Sequence, residues 1–234
     1  MASDMHGDIT STLGARIAAG EVPPGSVLTL AQLERDHDAS RTVVREAVRV
    51  LESIGMVRSR RRVGITVQSR EDWEANSPQV IEWNLQGPFR QQQLEALMEL
   101  RVAVEPTAAM LAAGRATPAQ RAELRRLADR LRELSDRGLG ASDDFLQADV
   151  EFHSLLLCAS RNPQLRALCD PVREVLTGRS RLGMTPATPA AGTVAEHSAV
   201  ADAIARGDAD EAEHHSREHM RSVRSEIRAD GSLG

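Results

Sequence analysis

From residue 78 to residue 229 no stretch alternates apolar and polar residues; apolar positions recur instead at intervals of three and four. On a helix of about 3.6 residues per turn that spacing makes one apolar face. The pattern predicts helices over 78–86, 91–114, 118–136, 141–160, 163–183, 191–206 and 208–229, broken at "RATP", "RGLGAS", "RNP", "MTPATPAAG" and "RGD". Helices joined by short breakers bury their faces against one another, so this part of the chain is expected to form an antiparallel helical bundle. Pro106 and Pro171 fall inside helical patterns and predict kinks.

The first 70 residues follow a different plan. Ile9, Leu13 and Ile17 mark a helix that ends near Gly20, and "VPPGS" is a turn. Thr29 suits the cap of a short helix carrying Leu30 and Leu33. Ser40 suits the cap of a third, with Val43, Val44, Ala47, Val48 and Leu51 inward. "VRSRRRVGITV" then reads as two short strands around a basic turn. Three helices and a β-hairpin predict a winged helix-turn-helix over 1–70, followed by a linker and short helix over 71–90, with "EDWEANS" as the linker, and a helical domain over 91–229. The fold class is therefore mainly α.

Charge supports the division. Residues 1–70 hold ten Arg against eight Asp and Glu, the remainder nineteen against twenty-six, and within 40–70 eight Arg face only Glu46 and Glu52. A basic stretch on an acidic chain is what a module for double-stranded DNA looks like. In a winged helix the third helix enters the major groove, which brings Ser40, Arg41, Thr42, Arg45 and Arg49 to bases and phosphates and Arg60, Arg61, Arg62 and Gly64 to the wing. An Arg fork matches the O6 and N7 of guanine. With 234 residues, two cysteines (Cys158 and Cys169), no apolar run long enough for a bilayer and no leader-like amino terminus, the chain is expected to be cytoplasmic and away from membranes. The cysteines lack a metal-type spacing and are expected to be packing residues.

The helical part contains polar groups where apolar ones belong. On "ADVEFHSLLL", Phe145, Asp149, Phe152 and Leu156 fall within roughly 60° of one another, with His153 at the edge. His197 shares a stripe with Val194, Val200, Ala201 and Ile204, and His219 one with Ala212, Val223 and Ile227. His214 faces solvent, and His215 lies at its stripe's edge. A lone core histidine is most often structural. One carboxylate and three imidazoles facing one core instead suit a divalent metal, with zinc the first choice and nickel or manganese as alternatives. Arg101 is also inward, between Leu94, Leu97, Met98 and Ala108; it either pairs with Glu105, one turn on, or clamps an anionic ligand.

"ASRTVVREAVRVLESIGMV", with "IAAGEVPPGSVLT" before it, resembles the DNA-binding signature of GntR-family bacterial regulators. "VIEWNLQGP", "LMELRVAVEPTAAMLAA", "ADVEFHSLLLCASRNPQL" and "EHSAVADAIARGDADEA" resemble the FadR subfamily's FCD effector domain, in the branch that includes sugar-acid regulators. The resemblance covers about residues 8 to 228. It implies a metal held by Asp149, His153, His197 and His219, and it favours Arg101 as an effector clamp. Two positions depart from the family pattern: Ala31 stands where relatives carry an Arg, and Arg62 stands at the first Gly of the wing.

These features predict a homodimeric, DNA-binding transcriptional regulator, a repressor controlled by a small carboxylate effector such as a sugar acid or hydroxy acid. It is not expected to be an enzyme. A metal-dependent hydrolase would use the same Asp and His set but lacks a further general base, since Glu151 points outward, and leaves the basic module unexplained. A metal-sensing regulator is the other alternative.

Overall fold

The computed structural model describes residues 2–189 and 191–229, with side chains described for 9–189 and 192–225. Two compact units part between Gln93 and Leu94.

The first unit runs α1 (Ala2–Ala18), β1 (Val27–Leu28), α2 (Leu30–Asp36), α3 (Arg41–Ser53), β2 (Val57–Arg60), β3 (Gly64–Val67) and α4 (Pro78–Gln86). Thr29 Oγ1 accepts from the Gln32 amide at 3.2 Å and Ser40 Oγ from the Val43 amide at 3.5 Å, so both expected caps form. Ile9, Leu13 and Ile17 of α1 pack with Val44, Ala47, Val48 and Leu51 of α3 and with Ile65 and Val67 of the hairpin. The hairpin pairs Val57 with Val67 and Arg60 with Gly64. A third strand, β1, joins its other edge through Val27 with Thr66 and Leu28 with Ile65, and two residues are too short a run for periodicity to reveal.

Residues 71–77 are tied down rather than extended as a linker. Trp73 enters the first unit's core and its Nε1 donates to the Gln68 carbonyl at 3.2 Å, while the Glu74 amide donates to the Ile54 carbonyl at 2.9 Å. Val80 and Trp83 of α4 join the same core. Arg70 caps this arrangement, its guanidinium 5.2 Å from the Trp73 ring and 3.7 Å from the Phe89 ring, within cation–π range.

The second unit contains α5 (Arg90–Arg115) for most of its length, α6 (Pro118–Asp136), α7 (Asp143–Ala159), α8 (Pro163–Arg166), α9 (Cys169–Arg181), α10 (Ala191–Arg206) and α11 (Ala209–Ala229). It is the expected helical bundle. Thr117 and Gln120 close a reciprocal capping box at the start of α6, and Ser142 caps α7. Ala108, Ala109, Ala112 and Ala113 give α5 a thin face, against which the Leu side chains of α6 and Phe145, Phe152 and Leu156 of α7 fill the core.

The single helix expected over 163–183 is instead two, α8 and α9, parted at Ala167 and Leu168. Pro171 is the third residue of α9, where a missing amide hydrogen costs no helical bond, so it follows the break rather than kinking a continuous helix. α5 runs through Pro106 to Arg115 without interruption.

The packing of α1 on α4 yields a prediction. A Cβ on Gly14 would sit 2.3 Å from the Trp83 ring. Helix propensity favours Ala over Gly by roughly 1 kcal/mol, yet overpacking here is expected to cost about 1–3 kcal/mol. Thermal unfolding should show Gly14→Ala melting below wild type, and the deficit should shrink in a Trp83→Leu background.

Candidate metal centre and nucleic-acid interface

α7 sets Asp149 and His153 one turn apart, α10 supplies His197 and α11 supplies His219. The structure brings all four together. Asp149 Oδ1 lies 3.3 Å from His153 Nε2 and 3.2 Å from His197 Nε2, and the two Nε2 atoms are 3.4 Å apart. One ligand atom from each of His153, His197 and His219 falls within 4.8 Å of the others. Ligands about 2.1 Å from a common ion stand roughly 3.0–3.4 Å from one another, so these separations match a shared cation.

The outer nitrogens explain the convergence. His197 Nδ1 and His219 Nδ1 both donate to the Thr193 carbonyl, at 3.0 and 3.1 Å, and His153 Nδ1 lies 2.6 Å from Glu105 Oε2, close but off the best hydrogen-bonding angle. Oxygen on every Nδ1 leaves each Nε2 to face inward, which is how metal-ligating histidines are oriented. His219 Nε2 is buried without a hydrogen-bond partner among the described residues. The Phe152 ring meets His153 and His197 edge-on, with centroids 5.5 and 4.9 Å away, and limits their rotation. The residues present fit a divalent ion. Ile227, expected on the His219 stripe, lies outside the residues whose side chains are described.

Electrostatics favour the ligand-competent state at Asp149, His197 and His219. Burial alone would raise the Asp149 carboxyl, but hydrogen bonds and charge from His153 and His197 hold it well below the usual carboxylate range. Burial pushes His219 well down, aided by His197 and His153, and burial also lowers His197. His153 moves up: burial pulls it down, but the Glu105 charge and contacts with Asp149 and Glu105 outweigh that.

Arg101 forms the pair with Glu105 that one reading of the sequence expects. It is 1% exposed and Glu105 0%, and Nε donates to Glu105 Oε1 at 2.5 Å, so the ion pair forms. Burial raises Glu105, but Arg101 and then His153 bring it down to about 2. Arg101 Nη1 remains buried without a hydrogen-bond partner among the described residues, on the wall of the pocket that also exposes Asp149, His153, His197 and His219. Buried Arg179 of α9 lines the same pocket. The helical pattern over 163–183 does not single it out, because the break that reorients α9 is not visible in that pattern. Glu105 and Thr193 were likewise not recognised as the groups that orient the imidazoles.

The histidines set aside remain apart. His214 is exposed, and His215 forms a surface contact with Glu196 at 2.7 Å. Glu151 is exposed and bonded to Gln147.

In the first unit, Arg41, Arg45 and Arg49 of α3 and Arg60, Arg61, Arg62 and Gly64 of the wing line one groove, together with Ala31. Ser40 and Thr42 are exposed beside it at the start of α3. Glu52 accepts the Ser59 amide at 2.7 Å and ties the wing to α3. The departure at Arg62 leaves the hairpin intact: Arg62 takes the left-handed conformation, φ 66°, that a glycine would adopt more easily. Gly64, at φ 115°, has no room for a side chain, since a Cβ would meet the Leu28 carbonyl at 2.7 Å.

With this geometry in place, residues 7–67 match the family model for bacterial regulatory proteins of the gntR family, and residues 96–222 match that of the FCD domain. The galactonate operon transcriptional repressor of Escherichia coli (strain K12) is 31% identical over 88% of this chain and 89% of its own. The HTH-type transcriptional regulator LutR of Bacillus subtilis (strain 168) is 28% identical over 88% of this chain and 94% of its own. The solved structure of a Streptococcus agalactiae GntR, 24% identical, superposes with a TM-score of 0.53 over 94% of this chain and 99% of that one, which supports the fold.

Two predictions follow from the centre. A ligand set drawn from three helices ties metal to folding, so chelation should lower the melting temperature. His153→Ala, His197→Ala and His219→Ala should each lower metal content measured by mass spectrometry, while His214→Ala keeps it; equal retention in all four would reject the site. Arg101→Ala should destabilise the chain by about 3–5 kcal/mol in urea unfolding, because Glu105 would stay buried without its main partner. Arg101→Met with Glu105→Gln should recover part of that loss.

Proposed function

The chain belongs to the GntR family of bacterial DNA-binding transcriptional regulators and carries its FCD domain, and from that premise we propose that it is a homodimeric repressor whose hold on double-stranded operator DNA is loosened by a small hydroxy acid or sugar acid bound at a divalent-metal site. It is a regulator and not an enzyme.

On the DNA side, Arg41 and Arg45 read base edges from the exposed start of α3, with Ser40, Thr42 and Arg49 on adjacent phosphates and bases. Arg60, Arg61 and Arg62, with the close backbone approach at Gly64, hold the sugar-phosphate backbone at the wing. A two-fold operator calls for two such heads, which supports a dimer.

On the effector side, Asp149, His153, His197 and His219 would hold the ion, zinc by preference, with nickel and manganese compatible with the same donors. A bound divalent ion supplies a Lewis-acidic centre that a hydroxyl and a neighbouring carboxylate can chelate together. The observation that carries the reading is Arg101 Nη1, a buried donor without a hydrogen-bond partner among the described residues, on the same pocket wall as the four proposed ligands. An unmade hydrogen bond of a buried charged donor is costly, and a carboxylate oxygen satisfies it. The similarity to a repressor of a galactonate operon points to the same ligand class. Glu105, the nearest further carboxylate, is committed to Arg101 and His153, which argues against hydrolytic chemistry.

Calorimetry of metal-loaded protein against aldonic, uronic and 2-hydroxycarboxylic acids tests the effector. At least one acid should bind, and that acid should weaken operator binding by about 5–150-fold, the usual range for coupled sites. Arg101→Lys retains a charge beside Glu105 but loses the planar fork; it should keep metal and operator binding and weaken the acid at least about tenfold. Operator affinity that follows metal alone and ignores every acid would overturn the effector and leave the cation as the signal. Arg41→Ala and Arg45→Ala should each cost about 1–3 kcal/mol of discrimination between operator and unrelated DNA, read by fluorescence anisotropy. Loss of the charges at Arg60 to Arg62 should instead flatten the salt dependence for all sequences.

A further inference from the structure

Cys158 lies in the last turn of α7, and Cys169 is the first residue of α9. Eleven residues separate them, yet their sulfurs stand 3.8 Å apart, at van der Waals contact. The break that the sequence did not announce produces this approach. The chain leaves α7, turns at Arg161 with φ 52°, makes the four residues of α8 and restarts at Cys169 against the flank of α7. There the Cys169 thiol also reaches the Ser154 carbonyl, at 3.6 Å, one turn before Cys158. Both cysteines are half-buried, which leaves them reachable by a small oxidant.

We propose that Cys158 and Cys169 are a dithiol that a peroxide converts into an intramolecular disulfide, tying the end of α7 to the start of α9. The sulfurs need to close by about 1.8 Å to reach the usual S–S length, a distance that side-chain rotation and a small shift at the free end of α9 supply. Hydrogen peroxide first oxidises the Cys158 thiol to a sulfenic acid and is reduced to water. The Cys169 sulfur then attacks the Cys158 sulfur, the S–S bond forms, and the sulfenic oxygen leaves as a second water with the Cys169 proton. Two thiols and one peroxide thus give one disulfide and two waters. Burial, reinforced by the Cys158 sulfur, pushes the Cys169 thiol up to about 12, so Cys169 still holds the proton that leaves with the sulfenic oxygen. The bridge joins two pocket walls, because α7 carries Asp149 and His153 while α9 carries Leu176 and Arg179. It depends on neither the metal nor the acid.

The test is peroxide treatment of the full-length, metal-loaded protein, followed by alkylation and mass spectrometry. Alkylation should detect two thiols per chain before treatment and none after. The intact chain should lose the mass of two hydrogens, and dithiothreitol should restore both thiols. Trypsin should release segment 138–161 joined to segment 167–173, because Arg161 and Arg166 lie between the cysteines. Cys158→Ser and Cys169→Ser, checked for native melting, should each give no joined peptide. Two thiols surviving at peroxide concentrations that oxidise dithiothreitol to its cyclic disulfide in a parallel tube would overturn the proposal. So would sulfinic acid without a bridge, or a bond between chains in place of one within a chain.

Discussion

The second unit is organised around a charge problem. Asp149 and Glu105, three imidazoles and the Arg101 guanidinium all start from core-facing positions on four helices. Such groups cost several kcal/mol each unless partners meet them. The chain solves this in series: Arg101 holds Glu105, Glu105 faces His153, His153 and His197 meet Asp149, and the Thr193 carbonyl takes the outer nitrogens of His197 and His219. Each partner fixes a ring orientation, and together the orientations aim three Nε2 atoms at one point. Aliphatic residues of similar volume would often give a comparably stable bundle.

The two units place their arginines differently. The reading head gathers its arginines on an exposed groove, where they remain hydrated and available to phosphates. The bundle buries two of its arginines, Arg101 and Arg179, and pairs Arg101 with Glu105 through Nε and Nη2. A fork held by Glu105 on one side has little conformational freedom left to lose in a further contact on the other, which is the advantage of preorganisation.

Much of this was legible in the sequence because it rests on periodicity. Helical spacing placed Asp149, His153, His197 and His219 on inward faces, and turn and cap residues placed α2, α3 and the hairpin. What escaped depends on tertiary contact. The orienting oxygen of Thr193 is a backbone carbonyl, and no side-chain pattern announces it. The segment around Trp73 reads as polar, yet one indole anchors it to the first core. The division of 163–183 into α8 and α9 hides behind a helical pattern, and with it went the approach of Cys158 to Cys169 and the place of Arg179 in the pocket. Arg62 shows the opposite case: a wing without its first glycine still forms, because a single residue in the left-handed region costs only about 1–2 kcal/mol.

X-ray absorption at the metal edge of the loaded protein tests the central claim most directly, namely that three imidazoles and one carboxylate converge on one ion. The account predicts multiple scattering from three imidazoles and a first shell of nitrogen and oxygen only, at about 2.0–2.2 Å. Sulfur in the first shell, or fewer than two imidazoles, would contradict it.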